Sequence, residues 1–344
     1  MKTIRQKFNQ AIAILLIFGM SSCVSNYYRT TSAIRPDGSC LREIHAKGDS
    51  AFLAGDMSHN PYPFRLDSGW NITPYGDSAD NAGRYNVKIG KMFRSTDEIS
   101  GSLQSDGNLE DTRPLFAPAE TFRKHFRWFY TRYEFRATYP CVSGKIPAAI
   151  DKYMSREEQL AWFRGDFSAY AGMTGFEMKD AMDDMETQFL KWYARNAYEV
   201  YFDAVCDFGK LSGNDSSVYQ LPALKDTLFQ MIVGEKLEEQ FDVADIYRMT
   251  DKYFRTNRFL NLYEENREQI DALCEEKGRS LDHLFANEIE YEAVVPGRLI
   301  AANTQLINRD TPTWRITAMR LVPDDYELTA TSRKVNVWAF AVTF

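Results

Sequence analysis

The hydrophobic and polar positions of this chain fall into three regimes. From Tyr27 to Gly144 short apolar runs alternate at period two; from Pro147 to Glu290 apolar residues recur at helical spacing; from Tyr291 to Phe344 alternation returns. Alternation marks half-buried strands, and helical spacing marks amphipathic helices. The fold class expected is α+β: an antiparallel β-sheet built from the N- and C-terminal segments, with a large helical insertion packed on it.

The stretch Phe122–Pro140 reads as one long central strand. Phe126, Trp128 and Tyr130 fall on one face, and Phe129, Tyr133, Phe135 and Tyr139 on the other, with Arg127, Arg132 and Arg136 between them. Aromatics on both faces predict a strand covered on both sides. Upstream, Asp37-Gly38 between two strand-like runs predicts a hairpin. The polar stretch Gly48–Asp80 is expected to be pinned to the core by Phe64 and Trp70. Tyr85–Phe93 is a further strand, and Arg94–Thr121 reads as a surface loop. The acidic residues Asp106, Glu110 and Asp111 lack the spacing of a calcium loop and read as solvated.

In the middle regime, Ser155 and Glu158 form a capping box ahead of Leu160, Trp162 and Phe163. The longest helix is expected over Glu177–Phe208, where Phe189, Tyr193, Ala197, Tyr201 and Val205 make one apolar stripe. Asp180, Asp183, Asp184 and Glu186 sit in its first turns, where the helix dipole favours negative charge. Lys210–Pro222 reads as a linker. Helices then follow at Ala223–Val233, Val243–Phe254, Leu260–Glu276 and Leu281–Asn287. The closing portion predicts strands at Arg298–Ala302, Thr313–Leu321 and Tyr326–Ser332. The final run, Val335–Phe344, is too short to span a bilayer. It reads first as a buried last strand; a membrane-touching tail aided by Trp338 and a barrel's terminal strand are the alternatives.

The first residues change the picture. Lys2, Arg5 and Lys7 precede the apolar run Ala11–Met20, and Gly19-Met20-Ser21-Ser22-Cys23 is similar to the lipobox at which bacterial lipoproteins are cut and acylated. Residues 1–22 are expected to be a lipoprotein signal peptide and Cys23 the lipidation site. The remainder divides into an N-terminal β portion (23–146), a helical insertion (147–290) and a C-terminal β portion (291–344). The expected location is the cell envelope, lipid-anchored through Cys23, in the periplasm-facing outer membrane.

Composition narrows the function classes. The 344 residues are 44% hydrophobic, enough for a sizeable core, and the aromatic share of 14% is high. A net charge of -7 argues against a general nucleic-acid binder. Cys40, Cys141, Cys206 and Cys274 could form disulfides or stay as buried thiols, and sequence does not choose. His45, His59, His125 and His283 are scattered. No GxSxG, HExxH, Walker or GxGxxG motif occurs, so no catalytic residue, metal or cofactor is predicted.

The residues Pro296-Gly297, Asn303, Trp314, Asp325-Tyr326, Ser332-Arg333 and Asn336-Val337-Trp338 carry a resemblance. Together with the Asp37-Gly38 hairpin, they resemble bacterial envelope lipoproteins distantly similar to the LppM-like lipoproteins. The resemblance covers the β portions only. It implies a β-rich domain and a role in recognising lipid. The function expected is non-catalytic binding of an apolar or lipid ligand, or of an envelope protein partner. The alternatives are an envelope hydrolase using Asp/Glu acid–base chemistry and a purely structural lipoprotein.

Overall fold

A computed structural model describes residues 26–75, 83–104, 109–212, 220–236 and 241–343. The expected signal segment and Cys23 lie outside the described residues, as do Asp106 and most of the expected linker. Two compact units are present among the described residues: one from Asn26 to Val142 together with His283 onward, the other Ser143–Asp282.

The first unit is made by both ends of the chain. Its strands are β1 (Asn26–Ile34), β2 (Cys40–Ala46), β3 (Asn71–Pro74), β4 (Val87–Phe93), β5 (Ala119–Phe126), β6 (Tyr130–Tyr139), β7 (Asn287–Val294), β8 (Arg298–Ala302), β9 (Ile307–Asn308), β10 (Thr311–Thr317) and β11 (Tyr326–Val335). The α+β class is as the hydrophobic pattern predicts, but the strands form two sheets. One runs β3-β4-β2-β1-β7-β10-β9 and the other β5-β6-β11-β8. All neighbours pair antiparallel except β1 and β7, which are parallel. Parallel neighbours need a long connection, and the helical segment supplies it.

Burial follows the pleat. On β2, Cys40, Arg42, Ile44 and Ala46 are buried while the residues between them are not; β1 and β7 alternate in the same way. The two inner faces meet through Tyr291, whose ring lies 6.2 Å from Phe135 and 6.4 Å from Tyr139. Asp37-Gly38 closes the β1–β2 hairpin, with Gly38 at φ +94°, a conformation that side chains disfavour. Phe64 and Trp70 anchor their polar stretch as expected: both are buried, and they make tilted and edge-on ring contacts with Tyr62, Phe93 and Phe116.

Several expectations are corrected. The long strand over Phe122–Pro140 is a hairpin, β5–β6, turning at Arg127-Trp128-Phe129. β6 is covered on one face only: Thr131, Tyr133, Phe135, Ala137 and Tyr139 are buried, while Tyr130, Arg132 and Arg136 are exposed. The expected loop Arg94–Thr121 contains the helices Glu98–Ser102 and Leu109–Phe116, and then β5. Glu110 and Asp111 open the second of these helices rather than a solvated loop. The run Val335–Phe344 is not a buried strand. β11 ends at Val335, and Val337–Thr343 is a helix that buries only Ala339.

The second unit is helical. The capping box at Ser155 and Glu158 starts the helix Arg156–Arg164, and Asp242 with Asp245 starts Val243–Phe254. The long helix runs Gly175–Ser212 and the next Leu221–Lys236, so both described ends of the expected linker Lys210–Pro222 are helical. Tyr198, Phe202, Leu228, Phe229, Ile246, Tyr247 and Ile270 pack in one core. The helix expected over Leu260–Glu276 is two, Arg258–Glu265 and Arg267–Phe285, and the second absorbs the expected Leu281–Asn287 segment. The carboxylate of Asp251 accepts from the amides of Phe259 and Leu260, which fixes the start of the shorter helix.

Candidate functional site

The unusual surface is the tip of the first unit. Phe126, Trp128, Phe129 and Tyr130 form the β5–β6 turn, and Val335, Val337, Trp338, Phe340 and Val342 come from the end of β11 and the helix after it. All nine are exposed; Trp338 is 50% exposed and Val337 74%. Isolated exposed apolar residues are ordinary, but a contiguous cluster marks a contact surface.

The cluster is a built object. Asn336 is its hub: its amide nitrogen side chain donates to the carbonyls of Arg127 (2.8 Å) and Trp128 (3.2 Å), and its backbone N–H donates to Phe129 O. Thr131 Oγ1 donates back to Asn336 Oδ1 at 3.1 Å. These bonds satisfy the turn carbonyls and dock the helix Val337–Thr343 on the hairpin. The rings then pack: Trp338 stacks on Phe126 and meets Trp128 edge-on at 5.2 Å, and Phe340 lies 4.9 Å from Phe129. Trp128 Nε1 donates to Thr343 Oγ1 at 2.9 Å. The aromatic faces are therefore fixed in place while remaining open to solvent.

Behind this tip lies a row of basic residues. The strand register places His125 opposite Arg132, Arg132 opposite Arg333, and Arg333 opposite Arg298, across all four strands of the smaller sheet. Directly opposed residues share a face, and all four are exposed. The row sits one same-face step from Tyr130 and Val335, about 7 Å along the strands. Arg333 also lies over the Tyr130 ring at 5.5 Å. Glu134 lies close by, 3.0 Å from Arg132 and 3.3 Å from His125. Lys124, Arg127 and Lys334 add charge around the tip, and among the described residues no ion pair engages them. A chain of net charge -7 thus carries a local cationic collar.

Gly297 supports the row. At φ +83° it lies under β11 so closely that a Cβ there would stand 2.5 Å from the Arg333 carbonyl oxygen. The Ser332 hydroxyl donates to Pro296 O at 2.7 Å in the same turn.

The tip occupies the end of the strands away from Asn26. β1 runs from Asn26, beside Asn287, toward the turn at Gly38, which approaches Phe122. From Phe122, β5 continues outward to Phe126.

A second polar cluster lies inside the sandwich. The Arg42 guanidinium pairs with Glu120 Oε1, both side chains being almost fully buried. Tyr291 OH donates to the same carboxylate oxygen at 2.9 Å. Since Tyr291 has one proton to give, Ser32 Oγ donates to Tyr291 OH across their 2.7 Å contact. Among the described residues Glu120 Oε2 and Arg42 Nε have no hydrogen-bond partner. Burial pushes the Tyr291 and Tyr139 hydroxyls well above their ordinary range and Cys40 up to about 11. The cluster joins the two sheets, tying β2 and β7 of one to β5 of the other.

The remaining sequence candidates separate. Cys40, Cys141, Cys206 and Cys274 carry thiols rather than disulfides. Asp180, Asp183 and Asp184 are solvent-facing on the long helix, with Asp183 paired to Lys179. His59 pairs with Asp49 and His283 with Asp111. Among the described residues no cluster has the makings of a metal site, and no helix is long and apolar enough to cross a membrane. The tip was missed in sequence because it assembles from segments about 210 residues apart. The available signal was the mixture of aromatics with arginines, which suits a surface better than a core.

No protein family matches the chain, and no curated protein matches it. Among solved structures it is similar to the folded domain of the LppM protein of Mycobacterium tuberculosis, determined by NMR. The identity is 8%, the match covers 93% of this chain and 97% of that one, and the TM-score is 0.26. That weak likeness carries no argument about function.

Proposed function

We propose that this chain is a lipid-anchored cell-envelope protein, acylated at Cys23, that binds an apolar ligand or partner without catalysing a reaction. The observation that supports the reading is the exposed aromatic tip. Burying apolar surface releases about 25 cal/mol per Å², and aromatic side chains bring the largest areas. A tip held rigid before binding loses little further entropy when it is covered. The acyl anchor at Cys23 follows from the lipobox-like segment, and envelope location follows from the same residues.

The test uses an environment-sensitive apolar dye, anilinonaphthalene sulfonate. Trp128 and Trp338 lie in the tip, whereas Trp70, Trp192 and Trp314 are buried. Energy transfer from tryptophan to bound dye is expected in the native chain and is expected to fall by more than half in the double variant Trp128→Ser/Trp338→Ser. Equal dye binding by both proteins, with melting temperatures unchanged, would place apolar binding elsewhere and end this reading.

A further inference from the structure

We infer that the tip docks on the surface of an anionic lipid bilayer, the aromatics entering the interface while the arginine row meets the headgroup phosphates. This inference rests on the apolar-binding reading and names the occupant. Three observations select a bilayer over a protein groove. The aromatics are Trp, Tyr and Phe, the residues that settle at the boundary of headgroups and acyl chains. The arginines form a line across three strands rather than a pocket, so they fit a plane of charge and not a single anion. Spacing is the third: the row lies about 7 Å behind the tip, within the roughly 5–10 Å over which interfacial apolar faces are buried.

The arrangement also accounts for an otherwise unfavourable register. Arg132, Arg333 and Arg298 stand opposite one another on adjacent strands, and like charges so placed destabilise a sheet. A phosphate-bearing surface turns that repulsion into attraction, since each positive charge then meets phosphates of opposite sign. The tip lies away from Asn26, three residues beyond Cys23, so this contact is separate from the one an acyl chain on Cys23 makes.

The experiment is vesicle co-sedimentation of residues 24–344, so that neither an acyl chain nor the apolar run Ala11–Met20 contributes. Vesicles are phosphatidylcholine alone or mixed with phosphatidylglycerol. Preferential binding to the mixed vesicles is expected, weakening as salt rises, with a blue shift of tryptophan emission. The triple variant Arg132→Gln/Arg298→Gln/Arg333→Gln is expected to bind mixed vesicles on the order of 100-fold more weakly, each basic residue near an anionic surface contributing roughly fivefold. The matching Arg→Lys triple is expected to keep most of the binding, which separates charge from a structural role. Equal binding to both vesicle types, unaffected by the Gln variant, would overturn the inference while leaving apolar binding intact. Binding of dye but of no vesicle would also overturn it and point to a protein groove as the occupant. Loss of dye binding from the Trp variant alone, as described above, tests the parent reading independently.

Discussion

Arg132 and Arg333 face each other directly across β6 and β11, two permanent charges side by side on an open face. Opposed like charges cost a sheet about 0.2–1 kcal/mol, and solvent screening puts this pair at the low end. Arg333→Ser is therefore expected to leave stability unchanged or to raise it by up to about 0.5 kcal/mol in urea unfolding, while weakening binding to phosphatidylglycerol vesicles. A loss above about 1 kcal/mol would show instead that Arg333 serves the fold through its stacking on Tyr130.

Arg42 and Glu120 make the opposite case, a buried pair joining two sheets. Arg42→Met leaves Glu120 charged and unpaired in the core, and is expected to cost about 3–5 kcal/mol. Arg42→Met/Glu120→Met removes both charges and is expected to recover most of that loss. Denaturant midpoints of the three proteins measure both effects. Additive losses in the double variant would contradict this account.

Asn336 holds the helix Val337–Thr343 to the hairpin by side-chain and backbone bonds. Asn336→Ala removes the side-chain bonds and strands the carbonyls of Arg127 and Trp128. Amide hydrogen exchange in 337–343 is expected to accelerate at least tenfold, since a loss of about 1.4 kcal/mol suffices and each bond is worth roughly 0.5–1.5. Exchange in β1 and β7 should not change. Unaltered protection of the helix would mean that ring packing alone secures it.

His45 lies half-buried with Nδ1 2.9 Å from the Tyr75 hydroxyl, and burial, with Arg29 and Lys88 nearby, lowers its pKa below 6.5. The unfolded chain then binds a proton at higher pH than the folded one. The stability His45 lends is complete above about pH 6.5 and is lost as pH falls through its lower native value. His45→Gln is expected to flatten the slope of unfolding free energy between pH 7 and pH 5. An unchanged slope would assign the pH dependence to other groups.

Much of the fold was legible from local chemistry. Asp37-Gly38 announced its hairpin, Ser155 and Glu158 their capping box, and the stripe from Phe189 to Val205 the long helix. The turn at Arg127-Trp128-Phe129 was not legible. It contains no Gly, Pro, Asn or Asp, and the hydrogen bonds that hold it come from Asn336, far along the chain. The run after Asn336 alternates like a strand, and so short an apolar segment does not declare its period. The cationic row exists only through register. His125, Arg132, Arg298 and Arg333 are unremarkable one by one, and become a site when four strands pair.

The parallel pairing of β1 with β7 has a consequence for how the polypeptide matures. Thr31 bonds to Glu292, a partner 261 positions downstream. Throughout elongation the N-terminal hairpin therefore carries an open ribbon of amides and carbonyls that its own chain has not yet met. Such an edge invites pairing with strangers. A truncated product ending within the helices would not be a smaller version of this protein but an adhesive one. The last sixty or so residues act as the clasp that makes the whole chain safe to release.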